Sequence, residues 1–143
     1  MPSETLIDAG PIVAYLDRAE KVLHPWAKTQ FQRQESFVTC EAVLAEACAR
    51  LAYKGLDQDK VLALVERGSL TLDFDLSTNL VRVRRLLEKY ADQPMDLADA
   101  CLVVMSEERR NPLLLTLDWE DFKVYRRHGR EVIPTVPKPS TAV

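Results

Sequence analysis

The sequence predicts a single α/β domain, built as a three-layer α/β/α sandwich around a central parallel sheet. Strand-like and helix-like segments alternate along the chain, and the strand-like segments are continuous apolar runs. Strands that are apolar throughout are typical of parallel sheets covered by helices on both faces. Because no repeat or linker divides the chain, we expect one domain over residues 1–136, followed by a Pro-containing tail over 137–143.

Composition places the protein among ordinary globular chains. Its 143 residues are 47% hydrophobic and 29% charged, which suffices for a core without disulfides or structural metal. No apolar run approaches the ~20 residues of a membrane span. The N-terminus also lacks the basic segment followed by an apolar segment that is typical of an export signal. Cys40, Cys48 and Cys101 lack CxxC spacing, which indicates reduced thiols and a cytoplasmic location without membrane association. Because the protein has a net charge of −3, it can bind a nucleic acid only through a local basic patch or through metal ions.

The first half of the chain begins with a strand that a Gly10-Pro11 turn separates from a helix. Apolar residues at helical spacing and a closing Gly55 then mark the longest helix of this half. The predicted elements are a strand at 5–8, helices at 11–20 and 24–31, a strand at 36–39 and a helix at 40–53.

The second half continues the alternation. Asp57 is the predicted cap of one helix, and Ser77 or Thr78 that of the next, while Pro94 and Asn111-Pro112 separate later elements. The predicted elements are a helix at 58–67, a strand at 69–74, helices from 77 to 90 and at 96–109, a strand at 113–116, a helix at 119–127 and a strand at 131–134.

Four acids come from four segments that such a sheet brings to one edge. Asp8 ends the first strand, Asp118 follows the fourth, Asp99 lies in the first turn of the most apolar helix, and Glu46 lies in the helix after the second strand. Ligand sites of open parallel sheets lie at the carboxyl ends of the strands. Carboxylates placed there suit Mg²⁺ or Mn²⁺ and metal-assisted hydrolysis of a phosphodiester.

Two of these acids have structural alternatives that the sequence leaves open. Asp118 can cap the helix at 119–127, and Glu46 can pair with Arg50 at i, i+4. Glu41 is a rival to Glu46, and periodicity does not choose between them because they lie about 140° apart around the helix. Asp8 is harder to explain structurally, since an unpaired carboxylate in an apolar strand costs desolvation energy.

Asp96 adds a further ambiguity. It precedes Asp99 by one helical turn, so both carboxylates lie on one helix face. Asp96 is therefore either an additional ligand or the N-cap of the helix, with Asp99 at the third helical position.

Four segments in order resemble the signature segments of PIN-domain ribonucleases: LIDAGPIVAYLD, TCEAVLAEA, MDLADACLVVMSE and LLTLDWEDFKVYR. The resemblance extends over residues 5–134 and is closest to the VapC-like toxins of toxin–antitoxin pairs. It implies a PIN-like nuclease domain that hydrolyses RNA with Mg²⁺ or Mn²⁺. It also implies a small antitoxin protein as partner and a homodimer.

Carried over by position, the resemblance assigns the site residues. The catalytic acids fall on Asp8, Glu46, Asp99 and Asp118; the metal ligands fall on Asp8, Asp99 and Asp118, with Asp96 matching an auxiliary acid, and Thr116 matches a supporting hydroxyl residue. One departure is Trp119-Glu120, where many relatives have a short polar or basic pair. It leaves Asp118 in place and puts the local RNA contacts in question.

Basic residues form further groups. Arg126, Arg127 and Arg130 are predicted to bind RNA phosphates, with a solvated face or helix-end cations as the alternative. The segment 82–89 and the pair Arg109-Arg110 are the other basic groups.

Among the aromatic residues, Trp26 and Trp119 have two interpretations: base stacking, or the favoured place in the core or a dimer interface. His24 and His128 have no partner signature and are predicted to lie on the surface.

Other function classes fail on particular residues. A phosphotransfer receiver needs an acidic pair after the first strand and a lysine after the last, but Asp8 precedes Ala9-Gly10 and 131–137 has no lysine. A haloacid-dehalogenase-like phosphatase needs a second aspartate where Gly10 stands. The alternative that remains is a non-catalytic PIN-like module that binds RNA or protein.

Overall fold

A four-stranded parallel sheet forms the centre of the molecule, as predicted. The computed structural model describes residues 5–139. The strands are β1 (Thr5–Ile7), β2 (Phe37–Thr39), β3 (Leu70–Leu72) and β4 (Leu113–Leu115), in the order β3-β2-β1-β4. In β1, Leu6 lies opposite Val38 of β2 and Leu114 of β4, so β1 is an inner strand with a parallel neighbour on each side.

Helices join and cover the strands. They are α1 (Ala9–Leu16), α2 (Leu23–Arg33), α3 (Glu41–Tyr53), α4 (Asp59–Glu66), α5 (Leu80–Lys89), α6 (Leu97–Glu107) and α7 (Trp119–Val124), with a 3₁₀ turn at Ser77–Asn79 before α5. Every residue of α6 from Ala98 to Ser106 is buried. A helix that is apolar all round is buried on all sides, so α6 forms part of the core itself.

Helix starts differ from the prediction where side chains cap the backbone. Helix α1 begins at Ala9, earlier than expected, because the Asp8 carboxylate accepts a hydrogen bond from the Ala9 amide at 2.8 Å. Neither Ser77 nor Thr78 caps a helix; instead, Asp75 accepts from the Ser77 amide at 3.1 Å.

The predicted helix at 119–127 is too long. After Val124 the chain forms an antiparallel hairpin of β5 (Arg126–Arg127) and β6 (Glu131–Val132). His128 and Gly129 form its turn with φ values of 52° and 71°, a region that glycine enters without a Cβ penalty. Sequence periodicity in so short a segment does not reveal such a turn.

The predicted strand at 131–134 is divided between two partners. Its first half belongs to the hairpin, whereas the chain from Pro134 to Val136 runs beside β4. The Leu114 amide donates to the Pro134 carbonyl at 2.8 Å, and the Val136 amide donates to the Leu114 carbonyl at 2.9 Å. Thr135 forms a parallel bridge with Leu114.

Residues 137–139 contain no helix or strand. Residues 1–4 and 140–143, which belong to the predicted domain and tail, lie outside the described residues. None of the helices between residues 5 and 139 is long and apolar enough to cross a membrane. Cys40, Cys48 and Cys101 are free thiols.

Candidate active site

Three carboxylates converge at the carboxyl ends of the two neighbouring strands β1 and β4. Asp8 directly follows β1, Asp118 follows β4, and Asp99 lies in the first turn of α6. Each contributes one carboxylate oxygen to a group whose members all lie within 4.8 Å of one another. The sheet order brings the first two together, because β1 and β4 pair in parallel.

Asp8 is the most firmly held of the three. One carboxylate oxygen accepts from the Ala9 amide and the other from the Thr116 hydroxyl, both at 2.8 Å. The residue is only 2% exposed. Burial raises the pKa of Asp8 to about 6, although the hydrogen bonds from Ala9 and Thr116 favour the charged form.

Thr116 links Asp8 to the loop that carries Asp118. Its hydroxyl donates to Asp8 and accepts from the Asp118 amide at 3.0 Å, and the residue is fully buried. Asp118 stands at the N-cap position of α7, but its side chain makes no capping hydrogen bond. Its exposed carboxylate is therefore free to face the other two acids. Partial removal of the carboxyl from solvent, followed by the negative charge of Asp121, raises the pKa of Asp118.

Asp99 is positioned by a capping box. The Asp99 amide donates to Asp96 at 2.9 Å, and the Asp99 carboxylate accepts from the Asp96 amide at 3.3 Å. Burial first, then the charges of Asp96 and Asp8, raise the pKa of Asp99 to about 8. Asp96 itself is exposed, caps α6, and is not one of the three converging acids.

The structure distinguishes the two glutamates of α3 that periodicity leaves equivalent. Glu46 lies beside Asp96 and Asp8, and burial together with these two acids raises its pKa to about 7. It also forms the expected pair with Arg50, at 4.0 Å. Glu41 instead lines a separate cavity beside Cys40 and Cys101. Glu46 is thus the glutamate beside the acids.

These residues fit a hard divalent cation. The donors are carboxylate oxygens, which Mg²⁺ and Mn²⁺ prefer. Among residues 5–139, no lysine or arginine forms an ion pair with Asp8, Asp99 or Asp118. Arg50, which pairs with Glu46, is the cation that acts on Asp118 from a distance, and no direct ion pair within the described residues neutralises the three acids.

Tyr125 is a neighbour of the acids that sequence analysis missed. It is fully buried, and its hydroxyl makes no hydrogen bond to any described residue. Burial, followed by the charges of Asp99 and Asp121, raises the pKa of this phenol. The only sequence signal was its place in the fourth resembling segment. That signal does not distinguish a tyrosine beside the acids from one that only packs in the core.

The prediction that Arg127 contacts RNA phosphates is wrong. Arg127 is 8% exposed, and its guanidinium donates to the carbonyls of Ser106 and Arg109 at 2.8 and 2.6 Å and pairs with Glu131 at 3.2 Å. The Ser106 carbonyl belongs to the last turn of α6, and the Arg109 carbonyl lies just beyond the end of this helix. Ser106 lies seven residues beyond Asp99, or about 10 Å along the helix at 1.5 Å per residue.

The neighbouring basic residues are less buried. Arg126 donates to the carbonyls of Val124 and Tyr125 at 3.2 and 3.3 Å, and also to that of Lys123. Arg130 is exposed. RNA binding by Arg126 and Arg130 stays a prediction.

His128 is exposed and His24 is partly exposed, so neither is a buried core residue, as predicted. His24 is half-buried, and its Nδ1 lies 3.1 Å from the Ala14 carbonyl. Trp26 and Trp119 meet edge to face at 6.1 Å, and the Trp119 indole donates to the Val136 carbonyl at 3.2 Å. These packing contacts agree with the favoured interpretation of both tryptophans.

Comparisons with known proteins agree with this geometry. The family described as PIN domain matches residues 5–127, a range that contains Asp8, Asp99 and Asp118. Ribonuclease VapC26 of Mycobacterium tuberculosis (strain ATCC 25618 / H37Rv) is 28% identical over 134 residues, which cover 92% of this chain and 99% of that relative. With its parallel sheet, its acids at the strand ends and a family match over most of its length, the chain belongs to the PIN-domain family.

Proposed function

We propose that the protein is a divalent-metal-dependent endoribonuclease that hydrolyses RNA phosphodiester bonds. The observation that carries the proposal is the convergence of Asp8, Asp99 and Asp118, none of which is paired with a lysine or arginine in the described part of the chain. Membership of the PIN-domain family and the similarity to a protein named a ribonuclease support RNA as the substrate.

The residues of the site have different proposed roles, which follow from their positions. Asp8, Asp99 and Asp118 would hold Mg²⁺ or Mn²⁺, which when bound activates water and stabilises charge on the phosphate. Thr116 fixes the orientation of Asp8 by its hydrogen bond. With its pKa raised to about 7, Glu46 exchanges a proton near neutral pH beside the cluster, which suits a general acid or base. Asp96 positions Asp99 through the capping box.

We further propose a small antitoxin partner and a homodimer, as the resemblance to VapC-like toxins implies. Light scattering of the purified protein tests the dimer. Co-purification with the product of an adjacent short gene tests the antitoxin.

The first prediction concerns cleavage. Asp99→Asn removes one of the three converging carboxylates, so we expect Mn²⁺-dependent cleavage of single-stranded RNA to fall by about a hundredfold or more. The circular dichroism spectrum should not change, because asparagine still accepts the capping hydrogen bond. Full activity of the variant would remove Asp99 from the site.

Two glutamates of α3 provide a matched control. Glu46→Gln should lower cleavage strongly, whereas Glu41→Gln, on the same helix, should leave it unchanged. The opposite ranking would place the catalytic glutamate at Glu41. Wild-type protein that binds Mn²⁺ and RNA but cleaves nothing would support the non-catalytic module instead.

A further inference from the structure

A second polar site lies away from the acids. A cavity of about 460 Å³ opens between the end of α1, helix α2 and helix α4. Four cationic side chains line it: Arg18, Lys28, Lys60 and Arg67. No aspartate or glutamate is among its lining residues. The cavity therefore concentrates positive charge in a protein whose net charge is −3.

The four cations of this cavity have no direct acidic partner among the described residues. In the part of the chain that the structure describes, none of the four cations forms an ion pair, although Arg82, Arg109 and other basic residues do. Like charges around one concave space repel one another and raise the local concentration of anions. An anion bound between them would relieve that repulsion.

Arg67 is held in place by neutral partners. Its Nε donates to the Ser69 hydroxyl at 2.8 Å, and its Nη2 donates to the Tyr15 hydroxyl at 3.1 Å. Tyr15 is itself stacked on Phe31, with ring centroids 4.0 Å apart. The guanidinium is thus oriented without losing its charge, and Nη1 keeps its donors. An oriented guanidinium fork matches the oxygens of a phosphate.

The cavity is separate from the acid cluster. Helix α1 starts at Ala9, directly after Asp8, and the cavity begins six residues later at Tyr15. At 1.5 Å per residue, this is about 9 Å along the helix axis. None of Asp8, Asp99 and Asp118 lines it.

We propose that this basic cavity is a phosphate-binding site. Its volume lies in the range of about 300–1,000 Å³ that small-molecule sites occupy, which is more than a single phosphate group needs. Phosphates can reach it from two sources: a free phosphate compound such as a nucleotide, or the backbone of an RNA chain.

The test uses the full chain and a matched pair of variants. Lys60→Gln with Arg67→Gln removes two cavity charges, and Arg18→Gln with Lys28→Gln removes two from the other walls. Lys21→Gln with Arg33→Gln, two exposed cations outside the cavity, makes the same charge change. All of these side chains are exposed, and thermal melts check that each variant is folded.

Inorganic pyrophosphate is the first probe, titrated by calorimetry in EDTA so that no metal at the acids contributes. We expect wild type and the Lys21/Arg33 control to bind alike and both cavity variants to bind about tenfold more weakly or worse. This result does not depend on RNA cleavage, so it stands or falls apart from the proposed nuclease function. Equal binding by cavity and control variants would overturn the proposal.

A labelled single-stranded RNA, bound in EDTA, identifies the source of the phosphate. If RNA supplies it, the slope of log affinity against log salt should fall by about 1.4 for a cavity variant relative to the control. If only pyrophosphate binding changes, the ligand is a free phosphate compound. Polyglutamate binding as tightly as pyrophosphate would instead indicate an acidic protein partner and refute the phosphate site.

Discussion

Asp8, Asp99 and Asp118 place like charges together, and none of them forms an ion pair with a lysine or arginine among residues 5–139. Two unit charges 4.8 Å apart repel by about 3 kcal/mol at an effective dielectric of about 20, and by less where solvent reaches the pair. Asp99 shows the consequence, because burial and its acidic neighbours raise its pKa from 3.8 to about 8. The metal-free protein therefore loses stability near neutral pH, because the unfolded chain ionises Asp99 there and the folded protein resists that ionisation.

The second prediction concerns the pH dependence of this cost. Since the folded pKa of Asp99 lies above the unfolded value, its stabilising contribution is complete below pH 3.8 and is lost as pH rises through about 8. Asp99→Asn in EDTA should thus unfold like wild type near pH 4. At pH 8 its melting temperature should be about 4 °C higher or more, for a gain of at least about 1 kcal/mol.

Glu66→Gln is the control for this experiment, since it removes an exposed acid of α4 outside the cluster. It should melt like wild type at both pH values. Parallel pH profiles for wild type and Asp99→Asn would mean that Asp99 experiences no repulsion in the folded state.

At the scale of single residues, position at a strand end was enough to predict that Asp8 and Asp118 lie close together. Three-dimensional contacts decide what sequence left open. The choice of Glu46 over Glu41 depends on the proximity of Asp96 and Asp8, which come from other elements. The bridging role of the Thr116 hydroxyl is likewise a contact that no spacing reveals.

The N-terminus of α6 is both capped by Asp96 and the place of Asp99, so the stability of this helix end affects the position of that acid. The third prediction is that Asp96→Ala lowers the free energy of unfolding by about 1 kcal/mol, because the helix loses its N-cap. Asp96→Ser retains a capping oxygen and should be nearly as stable as wild type. Urea denaturation measures both variants.

Mn²⁺ affinity and RNA cleavage of Asp96→Ser distinguish the two interpretations of Asp96, as helix cap or as metal ligand. If Asp96 acts as a cap, Asp96→Ser should keep Mn²⁺ affinity and most of the activity. A serine variant that is stable but loses Mn²⁺ affinity tenfold or more would make Asp96 a ligand.

The β5–β6 hairpin depends on Arg127. The fourth prediction is that Arg127→Met lowers the free energy of unfolding by about 2–4 kcal/mol, because the carbonyls at the end of α6 lose a charged donor. Arg130→Ala, at an exposed site of the same hairpin, should change it by less than about 0.5 kcal/mol. Urea unfolding identical to wild type for Arg127→Met would contradict this structural role.

Elements marked by an apolar run were predicted well, whereas the two-residue strands of the hairpin were not. Strands β1 to β4 and helices α3 and α6 occur where the apolar runs lie. The hairpin was missed because its strands have two residues each and are specified by the turn and by Arg127. The start of α1 moved because Asp8 caps it, and the start of α5 moved because a 3₁₀ turn precedes it.

For the whole molecule, the fifth prediction links metal to stability. A ligand that binds only the folded state stabilises it by about 2.7 kcal/mol at a hundredfold excess over Kd. Mn²⁺ should therefore raise the melting temperature of the wild type by about 10 °C at pH 7. Asp99→Asn should respond much less, and Glu41→Gln should respond like the wild type. Equal shifts for all three would place the bound ions elsewhere.

The overall fold was predictable because apolar strands that alternate with helices specify a parallel sheet between two layers of helices. This inference does not depend on the details of side-chain packing. The basic cavity was not. Its cations come from α2, from α4 and from the turns that follow α1 and α4, and they are scattered in sequence among ordinary charged residues, so only the packing of these elements gathers them. Net charge alone gave no sign of it.

The contact between Trp119 and Val136 gives the protein a built-in optical reporter. The indole follows Asp118 directly, and its hydrogen bond to the Val136 carbonyl fixes it beside the acids. Its emission should therefore change when Asp118 moves or gains a cation, without any added dye. The sequence has two tryptophans, so Trp26→Phe would leave Trp119 as the sole indole emitter and allow occupancy of the acid cluster to be followed in real time by stopped-flow fluorescence.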